Sequence, residues 1–87
     1  MKYIPYARQS IDSNDIKAVI RALKSDYITQ GPKVEEFEKK VASYCGAKYA
    51  VALNSGTSAL HAACFAADIK PGNEVITSPI SFVASSN

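Results

Sequence analysis

The sequence predicts an α/β protein, and three observations carry that expectation. The apolar run Tyr49-Ala-Val-Ala-Leu53 leads into the small, hydroxyl-rich turn Asn54-Ser-Gly-Thr-Ser58 and then into an alanine-rich segment with helical spacing. That order reads as strand, tight loop, helix. A second strand candidate, Glu74-Val-Ile-Thr77, follows the turn Pro71-Gly72-Asn73, completing a βαβ unit whose crossover should be right-handed. Ahead of this unit lie two segments with the apolar spacing of amphipathic helices.

Taken in order, residues 1–12 read as extended, with Pro5 and alternating polar and apolar positions. Ser13-Asn14-Asp15 caps a first helix whose Ile16, Val19, Ile20 and Leu23 share one face. Ser25 to Gly31 is a loop, and Pro32 opens a second helix, where a missing amide hydrogen costs nothing. That helix carries Val34, Phe37, Val41 and Tyr44 on one side. Glu35, Glu36, Glu38, Lys39 and Lys40 read as a solvated face, acids before bases as the helix dipole favours. Gly46 is the natural stop. A third helix is expected from about Thr57 to Ala67, slim because of Ala59, Ala62, Ala63, Ala66 and Ala67. Ser81 to Asn87 has the look of another helix beginning. Two strands do not make a parallel sheet, which needs several βαβ units and helices on both faces. Residues 1–87 are therefore expected to be the N-terminal segment and opening part of a larger domain.

Composition excludes several classes. A net charge of +2, with lysines and arginines scattered, gives no basic stripe for nucleic acid. No apolar run approaches membrane-spanning length, and the residues after Met1 lack the apolar core of a signal peptide, so a cytoplasmic protein is expected. Cys45 and Cys64 do not form a C-x-x-C pair and there is a single histidine, which argues against a metal site. Both cysteines are expected to be free and buried.

The turn at residues 54–58 is where chemistry is expected. The first amides of a helix have no partner within it, and the dipole there is positive. Gly56 admits a ligand close to the backbone, and Thr57 and Ser58 add hydroxyl donors, so the turn suits a phosphate. The alternative is that these hydroxyls only cap the helix. The turn has neither the G-x-x-x-x-G-K-[ST] of a P-loop nor the G-x-G-x-x-G of a dinucleotide fold. Gly56-Thr-Ser58-Ala-Leu60 matches a nucleophile elbow except for the last glycine, leaving a serine hydrolase built on Ser58 as a rival. Ligands in parallel α/β folds bind at the carboxyl ends of strands. Both the 54–58 turn and Ser78 to Phe82 lie at such ends, so the two should converge on one site.

Thr29-Gln-Gly-Pro32, Val34-Glu-Glu-Phe-Glu38, Asn54-Ser-Gly-Thr-Ser-Ala-Leu60, Gly72-Asn-Glu-Val-Ile76 and Ser81-Phe-Val-Ala84 together resemble the opening of the DegT/DnrJ/EryC1/StrS sugar aminotransferases. This is a pyridoxal 5′-phosphate-dependent family acting on nucleotide-linked keto-sugars. The resemblance implies the three-layer α/β/α large domain of the aspartate aminotransferase-like fold, of which residues 1–87 would be the start. Thr77 to Ala84 and Tyr6 to Ile11 most resemble the branch that works in pseudaminic acid synthesis. There a UDP-linked 4-keto-6-deoxy-N-acetyl-hexosamine is aminated with glutamate as donor. By resemblance, Gly56, Thr57 and Ser58 hold the cofactor phosphate and Phe82 stacks on the pyridine ring. Tyr6, Asp26, Tyr27, Ile28, Thr29 and Gly56 line the nucleotide-sugar site. The family also implies a homodimer, and a cofactor-bearing lysine and an acid facing the pyridine nitrogen from motifs beyond residue 87. Phe82 could instead be a core residue, and the aromatic and hydroxyl residues of the loop could be turn formers alone. His61 reads as an ordinary helix residue. A non-catalytic piece of a split gene is the remaining alternative.

Overall fold

Three α-helices and one short 3-10 turn make up the regular structure of residues 1–87 in the computed structural model. Helix α1 spans Ser13–Leu23, and its start is one residue earlier than the Ser-Asn-Asp signal suggests: Asp12 is the cap. The Asp12 carboxylate accepts from the amides of Asn14 (2.7 Å) and Asp15 (3.0 Å). The Asp15 carboxylate reaches back to the Asp12 amide at 2.9 Å. This is a reciprocal capping box built from two acids, and it satisfies donors that the helix itself leaves unpaired.

Helix α2, Pro32–Cys45, begins at Pro32 after Gly31, with no side-chain cap. It ends as the sequence suggests, on Gly46 in the left-handed region at φ 65°. The Gly46 amide donates to Ser43 O (3.3 Å) and the Ala47 amide to Ala42 O (2.9 Å), the bonding pattern of a Schellman motif. Glu35 pairs with Lys39 (2.5 Å), and Glu36 holds both Lys33 (2.6 Å) and Lys40 (2.8 Å). The Glu→Lys order at four-residue spacing is the favourable one. Helix α3, Gly56–Ala66, ends in the same way as α2 but without a glycine. Asp68 takes φ 57°, and the Ile69 amide donates to Cys64 O at 3.0 Å. A turn at 70–73 then carries the chain away from α3. The Asn73 amide donates to Lys70 O (3.0 Å), the Lys70 amide donates to Asn73 Oδ1 (2.7 Å), and Gly72 supplies the positive φ of 95° that position i+2 of a type II turn requires.

The two predicted strands are where structure and expectation part. Neither 49–53 nor 74–77 forms a ladder, so of the expected βαβ unit only the helix is formed. The reason is that a strand is stable only with neighbours, and an isolated pair is marginal even when adjacent. The expected helix at 81–87 is a 3-10 turn, Val83–Ser85, whose last bond, Asn87 N–H to Val83 O (3.1 Å), already has α-helical spacing. The helices stand apart: the radius of gyration is 17.4 Å, against about 12 Å for a compact domain of this length. Ala42 alone is buried, and the apolar faces of α1 and α2 are open. The expectation of buried thiols is corrected for the same reason. Cys45 and Cys64 are both free, but both are exposed, because nothing packs on the helix faces that carry them.

Candidate functional site

The turn after Leu53 is shaped by Ser55. Its Oγ accepts from the Ser58 amide (3.1 Å) and its hydroxyl donates to Ser58 Oγ (2.9 Å). Ser55 is thus the N-cap of α3, in extended backbone at φ −156°, a role legible in the small polar residue three positions ahead of Ser58. One helix-start donor is thereby used. The Gly56 and Thr57 amides, in the first turn, have no intrahelical acceptor, and no side chain of the protein bonds to them. The hydroxyl proton of Ser58 is also uncommitted, since Ser58 Oγ accepts from Ser55. The first turn contains no acid, and a methyl group built on Gly56 would meet no atom within 4 Å. What results is a set of backbone and hydroxyl donors at a positive helix end, with free access to an anion.

Of the 78–82 segment, Ser81 and Phe82 come up to the start of α3, while Ser78, Pro79 and Ile80 do not line the groove there. Gly56, Thr57, Ala59 and Leu60 of α3 line one side of an open groove of about 620 Å³, and Ser81, Phe82, Ala84 and Ser85 line the other. Phe82 lines the groove and is 75% exposed, as open as most apolar residues of this chain. Ser81, which opens the Ser81-Phe-Val-Ala84 motif, and Ser85 pair through their hydroxyls at 2.8 Å and fasten the 3-10 turn opposite α3. Ser58 is half-buried in the first turn of α3. It does not sit at the apex of a strand-to-helix elbow, and its hydroxyl is bonded to Ser55 and not to a base. His61 lies one turn further along α3, exposed, and lines a neighbouring groove with Thr57, Cys64 and Asn87.

The residues expected to meet a sugar nucleotide are not gathered here. Tyr6 is fully exposed in the N-terminal segment, and Asp26, Ile28 and Thr29 are exposed in the 25–31 loop. Tyr27 lines a second groove, of about 660 Å³, with Gln30, Gly31, Pro32, Glu38 and Ala52. There Gly31 is needed: a Cβ at this position would stand 2.5 Å from Tyr27 Cβ. Glu38 departs from its expected place on the solvated face. It is half-buried, and its Oε1 accepts from the Ala52 amide at 2.8 Å, fourteen residues away. No group of three histidine, cysteine, aspartate or glutamate side chains is placed to hold a metal, and no helix is long and apolar enough to cross a membrane.

The arrangement can be set beside known proteins. The profile of the DegT/DnrJ/EryC1/StrS aminotransferase family matches residues 9–87. The chain is 46% identical over 85 residues to the spore coat polysaccharide biosynthesis protein SpsC of Bacillus subtilis, covering 98% of this chain and 22% of that protein. It is 48% identical over 84 residues to a UDP-4-amino-4,6-dideoxy-N-acetyl-β-L-altrosamine transaminase of Campylobacter jejuni, covering 97% and 22%. A UDP-4-amino-4-deoxy-L-arabinose–oxoglutarate aminotransferase of Shewanella sediminis is 40% identical over 86 residues, covering 99% and 22%. The chain thus spans about 22% of the length of the curated relatives it matches. No solved structure matches.

Proposed function

The chain belongs to the DegT/DnrJ/EryC1/StrS aminotransferase family, and on that premise we propose that residues 1–87 are the opening of the cofactor-binding large domain of a pyridoxal 5′-phosphate-dependent aminotransferase. The observation that carries the reading is the start of α3. The Gly56 and Thr57 amides and the Thr57 and Ser58 hydroxyls form an acid-free donor set, and Phe82 stands across the groove from it. Donors of this kind fit a phosphate monoester, and an exposed aromatic face fits a flat heterocycle beside it. The groove residues therefore suit the cofactor on their own chemistry.

When bound, pyridoxal phosphate supplies the electron sink that lets an amino group be exchanged. The part of this chain is to bind and orient. Gly56 would leave the backbone open to the phosphate, Thr57 and Ser58 would donate to its oxygens, and Phe82 would pack against the ring. The α/β/α fold of the family would bring 49–53 and 74–77 into its sheet and so fix the two walls of the groove. The substrate we infer is a UDP-linked 4-keto-6-deoxy-N-acetyl-hexosamine, with glutamate as amino donor. The support is the likeness to the Campylobacter transaminase and the Thr77 to Ala84 motif. Tyr6 and the Asp26 to Thr29 loop would then line the sugar-nucleotide side, and the protein would act as a homodimer.

The test uses the full-length protein carrying these residues, loaded with pyridoxal phosphate and supplied with glutamate and the 4-keto sugar nucleotide. The expected result is a 4-amino sugar nucleotide, detected by mass, with stoichiometric 2-oxoglutarate. Turnover of glutamate with a different keto-sugar nucleotide, and none with this one, would keep the aminotransferase and overturn the substrate. No cofactor binding at all would overturn the reading of α3.

A further inference from the structure

Glu38 makes a side-chain bond that ties distant parts of the chain together. Its Oε1 accepts from the Ala52 amide at 2.8 Å, and both residues are half-buried. The other side-chain hydrogen bonds of α2 join residues three or four apart along the same helix. Glu38 also stands out from its neighbours Glu35 and Glu36, whose carboxylates are held by lysines, because its acceptor is spent on backbone. A carboxylate–amide bond is charge-assisted and is roughly twice as strong as a neutral one.

The place of this bond decides what it can do. Ala52 is two residues before Asn54 and three before Ser55, the cap that shapes the donor set of α3. In an extended run, alternate amides face opposite sides. The bond at Ala52 therefore commits the amide on that side of the run to Glu38. Glu38 and Ala52 line the same open groove as Tyr27 and Gly31, so the bond lies beside the 25–31 loop as well as on the approach to the turn.

We propose that Glu38 is a positioning residue: by fixing the Ala52 amide against α2, it sets the entry angle of the 53–55 segment and hence the direction in which the Gly56 and Thr57 amides present themselves to an anion. This inference rests on the proposed phosphate role of the 54–58 turn.

The experiment titrates the cofactor-free full-length protein with pyridoxal phosphate and, separately, with pyridoxal, which lacks the phosphate, following absorbance. Glu38→Ala should weaken pyridoxal phosphate about tenfold, the scale of one hydrogen bond to a charged group. Pyridoxal affinity should be left alone. Glu38→Gln keeps an oxygen acceptor and should return to within about threefold of the unaltered protein, since only the charge assistance is lost. Unchanged pyridoxal phosphate affinity in Glu38→Ala overturns the proposal. So does equal weakening of both ligands with a matching fall in the melting temperature of the cofactor-free protein, which would make Glu38 a fold residue only. The double variant Thr57→Ala/Ser58→Ala, run alongside, separates the two levels. If it weakens pyridoxal phosphate while Glu38→Ala does not, Glu38 alone is overturned. If neither does, the phosphate reading falls and takes the positioning role with it.

Discussion

Helices α1 and α3 have the same length and the same dipole, and they treat their positive ends in opposite ways. At α1 the end is filled from within. Asp12 and Asp15 place two carboxylates over the first amides and bond them reciprocally. At α3 the cap is a neutral hydroxyl, Ser55, which takes one amide, while the first turn holds no acid. Helix ends attract anions in general, so a helix start alone says little about ligands. What distinguishes α3 is that its own sequence declines to neutralise it. Helix α2 lies between these cases, with one acid in its first turn, Glu35, that is already tied to Lys39.

The sharpest way to break this contrast is to give α3 what α1 has. Ser58→Asp puts a carboxylate into the first turn, where it favours the helix itself but repels a phosphate. Like charges brought together at a binding surface cost several kcal/mol, so pyridoxal phosphate affinity of the full-length protein should fall at least about a hundredfold, as read by absorbance titration. Retained affinity would mean that the anion binds elsewhere.

A smaller effect is expected across the groove. Phe82→Leu keeps most of the volume and loses the aromatic stack, worth about 0.5–1.5 kcal/mol, so cofactor affinity should drop severalfold. Thermal stability of the cofactor-free protein should barely move, because the proposed place of the ring is on the groove wall. The reverse pattern would mark Phe82 as a core residue of the whole protein.

The smallest effect concerns the internal neutralisation seen in α2. Hydrogen bonds from Lys33 and Lys40, reinforced by their charges, hold the Glu36 carboxyl down from 4.5 to about 2. A carboxyl lowered in this way stabilises the fold above its unfolded value, and the contribution is lost as pH falls through the folded one. Helix content should therefore decline slightly between pH 4.5 and about 2, and less so in Glu36→Gln. The change should shrink further in high salt, since exposed pairs are screened. Circular dichroism across that range measures it.

Much of this was legible in the sequence. Helical spacing, Pro32, Gly46 and the Gly56-Thr-Ser turn locate α2 and α3 within a residue, because these signals act over a few positions. The Asp12 cap was legible too, as an acid three residues ahead of another, but the Ser-Asn-Asp triplet beside it was the louder signal. What the sequence could not supply is pairing between distant segments. The runs 49–53 and 74–77 have strand composition, yet a ladder depends on neighbours that composition does not name. Cys45 and Cys64 are exposed for the same reason, since burial depends on what covers a helix face. Glu38 was hidden among its fellow charges, and its partner is fourteen residues away.

The start of α3 is proposed as a phosphate site that its own sequence leaves open. The most direct measurement is the ratio of pyridoxal phosphate to pyridoxal affinity, in the unaltered full-length protein and in Thr57→Ala/Ser58→Ala. Removing two donors to a charged group, at about 1.5–3 kcal/mol each, should lower that ratio at least tenfold while leaving pyridoxal affinity in place. A ratio unchanged by the double substitution would contradict the claim, and would leave Ser55, Thr57 and Ser58 as the ordinary cap of an ordinary helix.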